Sequence, residues 1–264
     1  MKIGIIGYKG FVGSAIFTHF WAKYSSNVFG ISRENYVEAP KEYDIIINAN
    51  GNSKKRLADS DPKLDFDLNV VSTAKSLFDF KFKKYVFISS VDVYNNHDDP
   101  ELNKENQEIE EEFLSNYGFD KYLAEKIVRR YAKNYLIFRL GGMVGPNLKK
   151  NVVYDIINLG KTFVSPLSKF QYIDTLYVAR AIEDMIDQGI ENEIFNICGE
   201  DAISGEEVAD MAGKSLDMNL YEQPKENYDV NISKICKFTA LSKSKDCVSN
   251  YINFIKGGKK AWKN

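Results

Sequence analysis

Ile3-Gly4-Ile5-Ile6-Gly7-Tyr8-Lys9-Gly10-Phe11-Val12-Gly13-Ser14-Ala15-Ile16-Phe17 reads as a strand, a glycine turn and the opening of a helix. The run Ile3 to Ile6 has the texture of a short strand buried on both faces. Gly7 allows a tight turn, Gly10 lets the backbone approach a bound group, and Gly13 lets the helix pack closely on the strand. The first amides of that helix point at the same spot, so the spacing predicts a cradle for a pyrophosphate.

Working outward, further β-rich runs at Val28 to Ile31, Ile45 to Asn48, Tyr85 to Ser89 and Leu136 to Arg139 alternate with helical patterns at Ser14 to Tyr24, Pro62 to Phe78 and Tyr117 to Lys133. Strand and helix in strict βαβα order call for an α/β fold, a doubly wound parallel sheet of the Rossmann type. The polar, acidic segment from Asn96 to Glu112 reads as a solvated loop and helix. After Pro146 the pattern changes to a helix at Val152 to Leu159, an extended stretch near Thr162 to Ile173, a helix at Leu176 to Gln188, a strand at Ile194 to Cys198 and a Lys-rich C-terminal third. The expected organisation is a dinucleotide-binding domain over 1–146 and a smaller substrate-binding region over 147–264, with some of its segments returning to the sheet.

With 264 residues, 44% hydrophobic content and a net charge of −2, the chain has the balance of a globular enzyme and no nucleic-acid footprint. Cys198, Cys236 and Cys247 are scattered, which argues against a disulfide framework or a zinc site and suits a reducing cytoplasm. The chain opens directly on a strand and holds no apolar run of about 18 residues, so neither a signal peptide nor a membrane span is expected. His19 and His97 are the only histidines, so proton chemistry falls to other side chains and no metal is expected.

A second constellation is Val86-Phe87-Ile88-Ser89-Ser90-Val91-Asp92-Val93-Tyr94 followed by Tyr117-Gly118-Phe119-Asp120-Lys121. A strand end delivers Ser90, and the next helix carries Tyr117 and Lys121 four residues apart on one face. An ammonium near a phenol lowers its proton affinity and makes the tyrosine usable near neutral pH. The same spacing recurs at Tyr122/Lys126 and Tyr221/Lys225. Tyr122 lies about 140° further round the helix than Tyr117. Tyr221 follows no serine-bearing strand, so position singles out Tyr117.

In this order the motifs resemble those of the extended short-chain dehydrogenase/reductases, the family of sugar-nucleotide epimerases, dehydratases and reductases, over residues 1 to about 240. The resemblance rests on Gly7/Gly10/Gly13 with its G-x-x-G-x-x-G spacing, Asn48-Ala49-Asn50-Gly51, Asp67-Leu68-Asn69-Val70, Ser89-Ser90 with Val93-Tyr94, and Tyr117/Lys121. It continues through Arg139-Leu140 leading to Gly145-Pro146, and Tyr172-Ile173-Asp174 before Val178-Ala179. It implies Ser90, Tyr117 and Lys121 as the catalytic triad, with Lys121 also reaching a cofactor ribose. It further implies cofactor contacts from Gly7, Lys9, Gly10, Phe11, Val12, Gly13, Ser32, Arg33, Asn48, Ala49, Asn50, Gly51, Asn69 and Ser89. Asp92, Asn147 and Lys169 are the expected substrate contacts, Asp92 as an additional acid. Two departures touch the sugar-nucleotide contacts: Gly142 stands where many epimerases have asparagine, and Phe170, beside Lys169, stands where an arginine is common.

Dinucleotide binders that select NAD place an acid after the second strand, and here that place reads Gly30-Ile31-Ser32-Arg33. Arg33 suits a 2′-phosphate, and Lys9 adds a second charge, so NADP(H) is the preferred cofactor, with NAD(H) possible. The glycine turn is also similar to that of the GDP-fucose synthases, which use NADPH. Net consumption of NADPH belongs to a reductase, here of a nucleotide-linked keto sugar such as a 4-keto-6-deoxyhexose. An epimerase or dehydratase with tightly held NAD stays open, as does a non-catalytic NADP-sensing scaffold. The family commonly pairs two helices across a dimer, and Leu123, Ile127 and Tyr131 supply an apolar stripe, so a homodimer is expected.

Overall fold

The computed structural model describes residues 1–257. In chain order the elements are β1 (Ile3–Ile6), α1 (Phe11–Tyr24), β2 (Val28–Ile31), β3 (Glu42–Asn48), α2 (Lys55–Ser60), α3 (Pro62–Phe66), α4 (Ser72–Asp79), β4 (Lys81–Ser90), α5 (Asn116–Tyr131), β5 (Tyr135–Leu140), β6 (Gly142–Val144), α6 (Val152–Leu159), β7 (Lys169–Asp174), α7 (Thr175–Asp187), β8 (Glu193–Ile197), β9 (Ala202–Ser204), α8 (Gly205–Ala212) and α9 (Ser244–Lys256). They fall into two compact units. The larger comprises residues 1–95, 105–140 and 179–196, and the smaller comprises 96–104, 141–178 and the described residues from 197 onward.

The larger unit is built on a six-stranded parallel sheet in the order β2-β1-β3-β4-β5-β8. This is the Rossmann-type α/β architecture. Its strands are near-continuous apolar runs because helices cover both faces. One side of the core joins Ile6, Ile31, Tyr43, Ile46, Phe87 and Ile137 of the sheet to Ala124 and Val128 of α5. β3 and β4 begin earlier than their apolar runs, at Glu42 and Lys81. These two residues are cross-strand partners and form an ion pair at 2.7 Å, so charge extends the ladder past the core.

One expectation needs correction. The βαβα alternation is broken between β2 and β3, where only residues 32–41 connect the strands and the link holds a short 3-10 turn over Arg33–Asn35. The Asn35 side chain fastens it, donating to the Gly30 carbonyl at 2.9 Å and accepting from the Ser32 amide at 2.7 Å. The helix expected over Pro62 to Phe78 is present as one helical run over residues 62–79. Asp61 caps it by accepting from the Leu64 amide, and a π-helical turn over Asp67–Val71 lies within the run, joining α3 to α4. π turns are uncommon and gather at functional sites; this one carries Asn69.

The smaller unit holds a three-stranded sheet in the order β6-β7-β9, with β7 parallel to β6 and antiparallel to β9. The extended stretch expected from Thr162 forms a strand only from Lys169. The segment before it turns at Ser165 to Ser168. At Gly142 a Cβ would stand 2.6 Å from the Gln171 carbonyl oxygen, so the close approach of β6 to β7 requires glycine there.

Candidate active site

The glycine turn is built as its spacing predicts. Gly7 has φ +80°, and its carbonyl accepts from the Gly10 amide at 2.8 Å. A Cβ on Gly13 would lie 2.2 Å from the Gly7 oxygen, so only glycine lets α1 approach the turn this closely. Gly10 caps α1 without any side-chain hydrogen bond, and no acidic residue occupies the first turn. The leading amides, including those of Phe11, Val12 and Gly13, are therefore open to an anion. This cradle fits the pyrophosphate of a dinucleotide.

Beyond the turn, the Tyr8 ring lies on Gly30, where a Cβ would come within 2.5 Å of it, and packs against Phe17. Lys9 follows, and its ammonium pairs with Glu34 at 3.2 Å. Glu34 is also gripped by the Ser32 hydroxyl. Ser32 first, then the backbone amide and Lys9, hold its carboxyl down to about 2. Arg33 between them is exposed, and among the described residues no carboxylate pairs with it. Sequence reasoning placed Lys9 and Arg33 together as cations for a phosphate; the structure gives Lys9 a resident partner.

The segment after β3 splits by role. Asn48 is buried, donating to the Tyr85 hydroxyl at 2.9 Å and accepting from the Asn50 amide at 3.0 Å. The Ala49 amide bonds the Ile6 carbonyl, and the Asn50 side chain reaches Ser72. Gly51 has φ +137°, and a Cβ there would stand 2.5 Å from Asn69 Oδ1. Asn69 is buried and donates to Asp65 at 2.9 Å. Asn48 and Asn69 thus shape the loop from inside the unit.

β4 ends in Ser89 and Ser90, whose side chains part. Ser89 donates to Glu125 at 2.5 Å, and Glu125 is held by Arg139 through two nitrogens, at 3.0 Å and 2.7 Å, with both charged groups almost fully buried. Ser89 is therefore bound into an internal ion-pair cluster. Ser90 instead donates to Asp92 at 3.1 Å and accepts from the Asp92 amide at 3.2 Å. Asp92 is paired with Lys55 at 2.6 Å.

Tyr117 reaches Ser90 because of two local features. Ser115 caps α5 by accepting from the Gly118 amide at 3.1 Å, which sets Tyr117 in the first turn. Gly118 lets the helix press on the turn after β4, since a Cβ there would lie 2.2 Å from the Asp92 carbonyl oxygen. Burial first, then the Asp92 charge, hold the Tyr117 phenol well above its ordinary pKa. Ser90 hydrogen bonding and Lys55 act in the opposite direction. Lys121 is buried, donates to the Ile88 carbonyl at 2.8 Å and lies 4.6 Å from the centre of the Phe87 ring. Burial pulls its ammonium down to about 8, against the pull of Glu125 and Asp65. Ser90, Tyr117 and Lys121 are thus gathered at one end of β4. The expected lowering of Tyr117 by Lys121 is not what governs the phenol here; burial is.

Three further groups at this corner escaped the sequence reading: Lys55, Asp65 and Asp120. Asp120 adjoins Lys121 in the sequence, so α5 itself signalled it. Burial and the neighbouring Asp65 push its carboxyl up to about 7. Asn147 and Lys169 belong to the smaller unit, Asn147 exposed in a positive-φ turn and Lys169 exposed at the start of β7. Phe170 stacks on Tyr228 at 5.5 Å.

A glycine-turn α/β sheet that delivers a serine, a tyrosine and a lysine to one strand end defines an NAD(P)-dependent enzyme of the extended short-chain dehydrogenase/reductase class. The chain belongs to the NAD dependent epimerase/dehydratase family, whose family model matches residues 3–198. No curated protein matches the sequence. Among solved structures it is similar to a UDP-glucuronic acid 4-epimerase from Bacillus cereus in complex with UDP-glucuronic acid and NAD, at 19% identity and TM-score 0.81 over 97% of this chain and 99% of that one. A UDP-galactose 4-epimerase aligns at 21% identity and TM-score 0.80, covering 98% and 99%. A dTDP-4-dehydrorhamnose reductase from Bacillus anthracis in complex with NADP aligns at 16% identity and TM-score 0.77, covering 97% and 99%. At these identities the likeness establishes the fold. Among the described residues no helix is long and apolar enough to cross a membrane, and no group of three or more His, Cys, Asp or Glu side chains gathers to hold a metal ion.

Proposed function

We propose that the protein is an NADPH-dependent reductase of a nucleotide-linked keto sugar, of the 4-keto-6-deoxyhexose class. The observation that carries this reading is Arg33, a cation without a partner among the described residues at the end of β2, where a binder selective for NAD would present an acid. When bound, the reduced nicotinamide supplies hydride to the carbonyl carbon. Tyr117, kept protonated by its burial, gives its proton to the carbonyl oxygen, and Ser90 orients that oxygen by turning its hydroxyl from Asp92. Lys121 stabilises the phenolate that remains. Asp92, Asn147 and Lys169 are the proposed substrate contacts, and residues 1–146 and 147–264 the proposed cofactor and substrate parts.

One observation favours a second reading, a sugar-nucleotide epimerase or dehydratase with retained NAD. Glu34 is an acid just past β2, and its hold on Lys9 removes one cation from the proposed phosphate site. Identifying the cofactor that co-purifies separates the two: NADP(H), or an empty site that binds NADPH more tightly than NADH, supports the reductase, and firmly retained NAD overturns it.

We further propose a cytoplasmic homodimer. Phe78 of α4 and Tyr131 of α5 are 65% and 54% exposed and pack on each other at 4.9 Å, beside the half-buried Leu123 and Ile127. Two aromatic rings left in water on adjacent helices favour a partner face. Sedimentation at micromolar concentration should give a dimer that Phe78→Asp dissociates; a monomeric unmodified protein removes the proposal.

A further inference from the structure

Asp65 of α3 and Asp120 of α5 meet where these helices pack, and both are buried, at 0% and 6% exposure. Asp65 Oδ1 accepts from Asn52 at 2.6 Å and from Asn69 at 2.9 Å, while Oδ2 has no donor among the described residues. A buried carboxylate oxygen without a donor is costly. The Asp120 carboxyl neighbours the Asp65 carboxyl within hydrogen-bonding reach. Two bare carboxylates offer each other only acceptors, and two like charges so close do not both ionise readily. One proton between them removes the repulsion and gives the buried pair the donor it lacks.

We propose that Asp65 and Asp120 hold one shared proton as a buried carboxyl–carboxylate pair, and that this pair sets the negative charge facing Lys121. Both are positioning residues, acting on Tyr117 through Lys121, so the proposal rests on the roles given to those two residues above. Sharing makes the proton a property of the pair. The other charged or titratable groups facing this corner are Lys55 of α2, Asp92 after β4, and Tyr117, Lys121 and Glu125 of α5. Lys55 is committed to Asp92, and Glu125 to Arg139. That leaves Asp65 as the carboxylate facing Lys121 whose charge is free to vary with its partner's proton. The π turn contributes by bringing Asn69 to Asp65.

The test uses the full chain without substrate or cofactor, so that it stands or falls apart from the proposed reaction. Infrared difference spectra between the unmodified protein and Asp120→Asn should show, at mildly acidic pH, a protonated-carboxyl C=O stretch that fades as pH rises through neutrality. The amide that this substitution introduces would donate to Asp65 in place of the shared proton, which preserves the packing. Nitrogen NMR of 15N-lysine-labelled protein, with the Lys121 signal assigned by its loss in Lys121→Met, reads the second half. Asp65→Asn should lower the Lys121 titration by about one pH unit or more, the usual effect of losing a nearby opposite charge. Absence of the carboxyl band overturns the shared proton even if Asp65→Asn fails to fold. A Lys121 titration unmoved in folded Asp65→Asn overturns the coupling.

Discussion

Lys9 in the glycine turn and Glu34 after β2 are joined by an ion pair of 3.2 Å, which ties together the two segments that flank the proposed 2′-phosphate site. The pair divides the local cations: Lys9 is committed, and Arg33 is not. Cofactor choice therefore turns on Arg33, with Glu34 as its opponent.

Arg33→Ala should lower NADPH affinity about ten- to hundredfold and leave NADH affinity nearly unchanged, because a charge-assisted hydrogen bond is worth about 1.5–3 kcal/mol. Glu34→Gln should act in the opposite direction, releasing Lys9 and tightening NADPH. Calorimetric or fluorescence titration with both cofactors checks the pair. NADH bound as tightly as NADPH by the unmodified protein would favour the NAD reading.

Gly118→Ala tests how Tyr117 is held. The added Cβ would meet the Asp92 carbonyl oxygen at 2.2 Å, and neither backbone segment can yield without moving. A stability loss of about 1–3 kcal/mol is expected, together with a drop in turnover as Tyr117 is displaced from Ser90. Thermal melts and steady-state kinetics read the two effects; a variant indistinguishable from the parent in both would refute the close approach.

Much of this arrangement was legible in the sequence, for physical reasons that differ from part to part. The glycine turn could be read because each glycine answers a local steric demand, and Tyr117/Lys121 because helical spacing sets a shared face. The strands Ile3–Ile6 and Val28–Ile31 followed from their apolar runs, while their register, Ile3 against Val28 and Ile5 against Gly30, came only with the fold. What escaped was long-range or depended on packing. Nothing local to Asp65 announces that it will lie against Asp120, far along the chain. The burial that governs Tyr117 and Lys121 depends on the neighbours of α5, so helical spacing suggested a pairing while the tertiary environment set the proton affinities. The missing helix between β2 and β3 shows the same limit, since a short link fastened by Asn35 has no apolar period to read.

Glu125→Gln should be severe. Arg139 would remain buried without its counter-charge, and a single amide oxygen would replace the two carboxylate oxygens that now accept from Ser89 and Arg139, so the expected cost is about 3–5 kcal/mol. Denaturant unfolding measures it. A loss below about 1 kcal/mol would mean that the ion pair contributes little to the fold.

The Lys121 ammonium, lowered to about 8 from its ordinary 10.5, gives a pH dependence with a definite sign. Its folded value is depressed, so the contribution to stability is present above pH 10.5 and is lost as pH falls through about 8. Activity runs the other way, because only the charged form stabilises the Tyr117 phenolate. Turnover should decline as pH rises through about 8, while the melting temperature gains a small favourable term over the same interval. Lys121→Arg should flatten the alkaline limb; an unchanged limb would assign it to another group.

NADPH oxidation followed by absorbance, with a panel of nucleotide-linked 4-keto-6-deoxyhexoses and with Tyr117→Phe in parallel, tests the central claim most directly. At least one keto sugar should drive stoichiometric NADPH consumption, and Tyr117→Phe should lower the rate by orders of magnitude while still binding NADPH, since it removes only the proton donor. Isomerised or dehydrated sugar nucleotide formed without net NADPH loss, or a Tyr117→Phe variant that keeps most of the rate, would contradict the account.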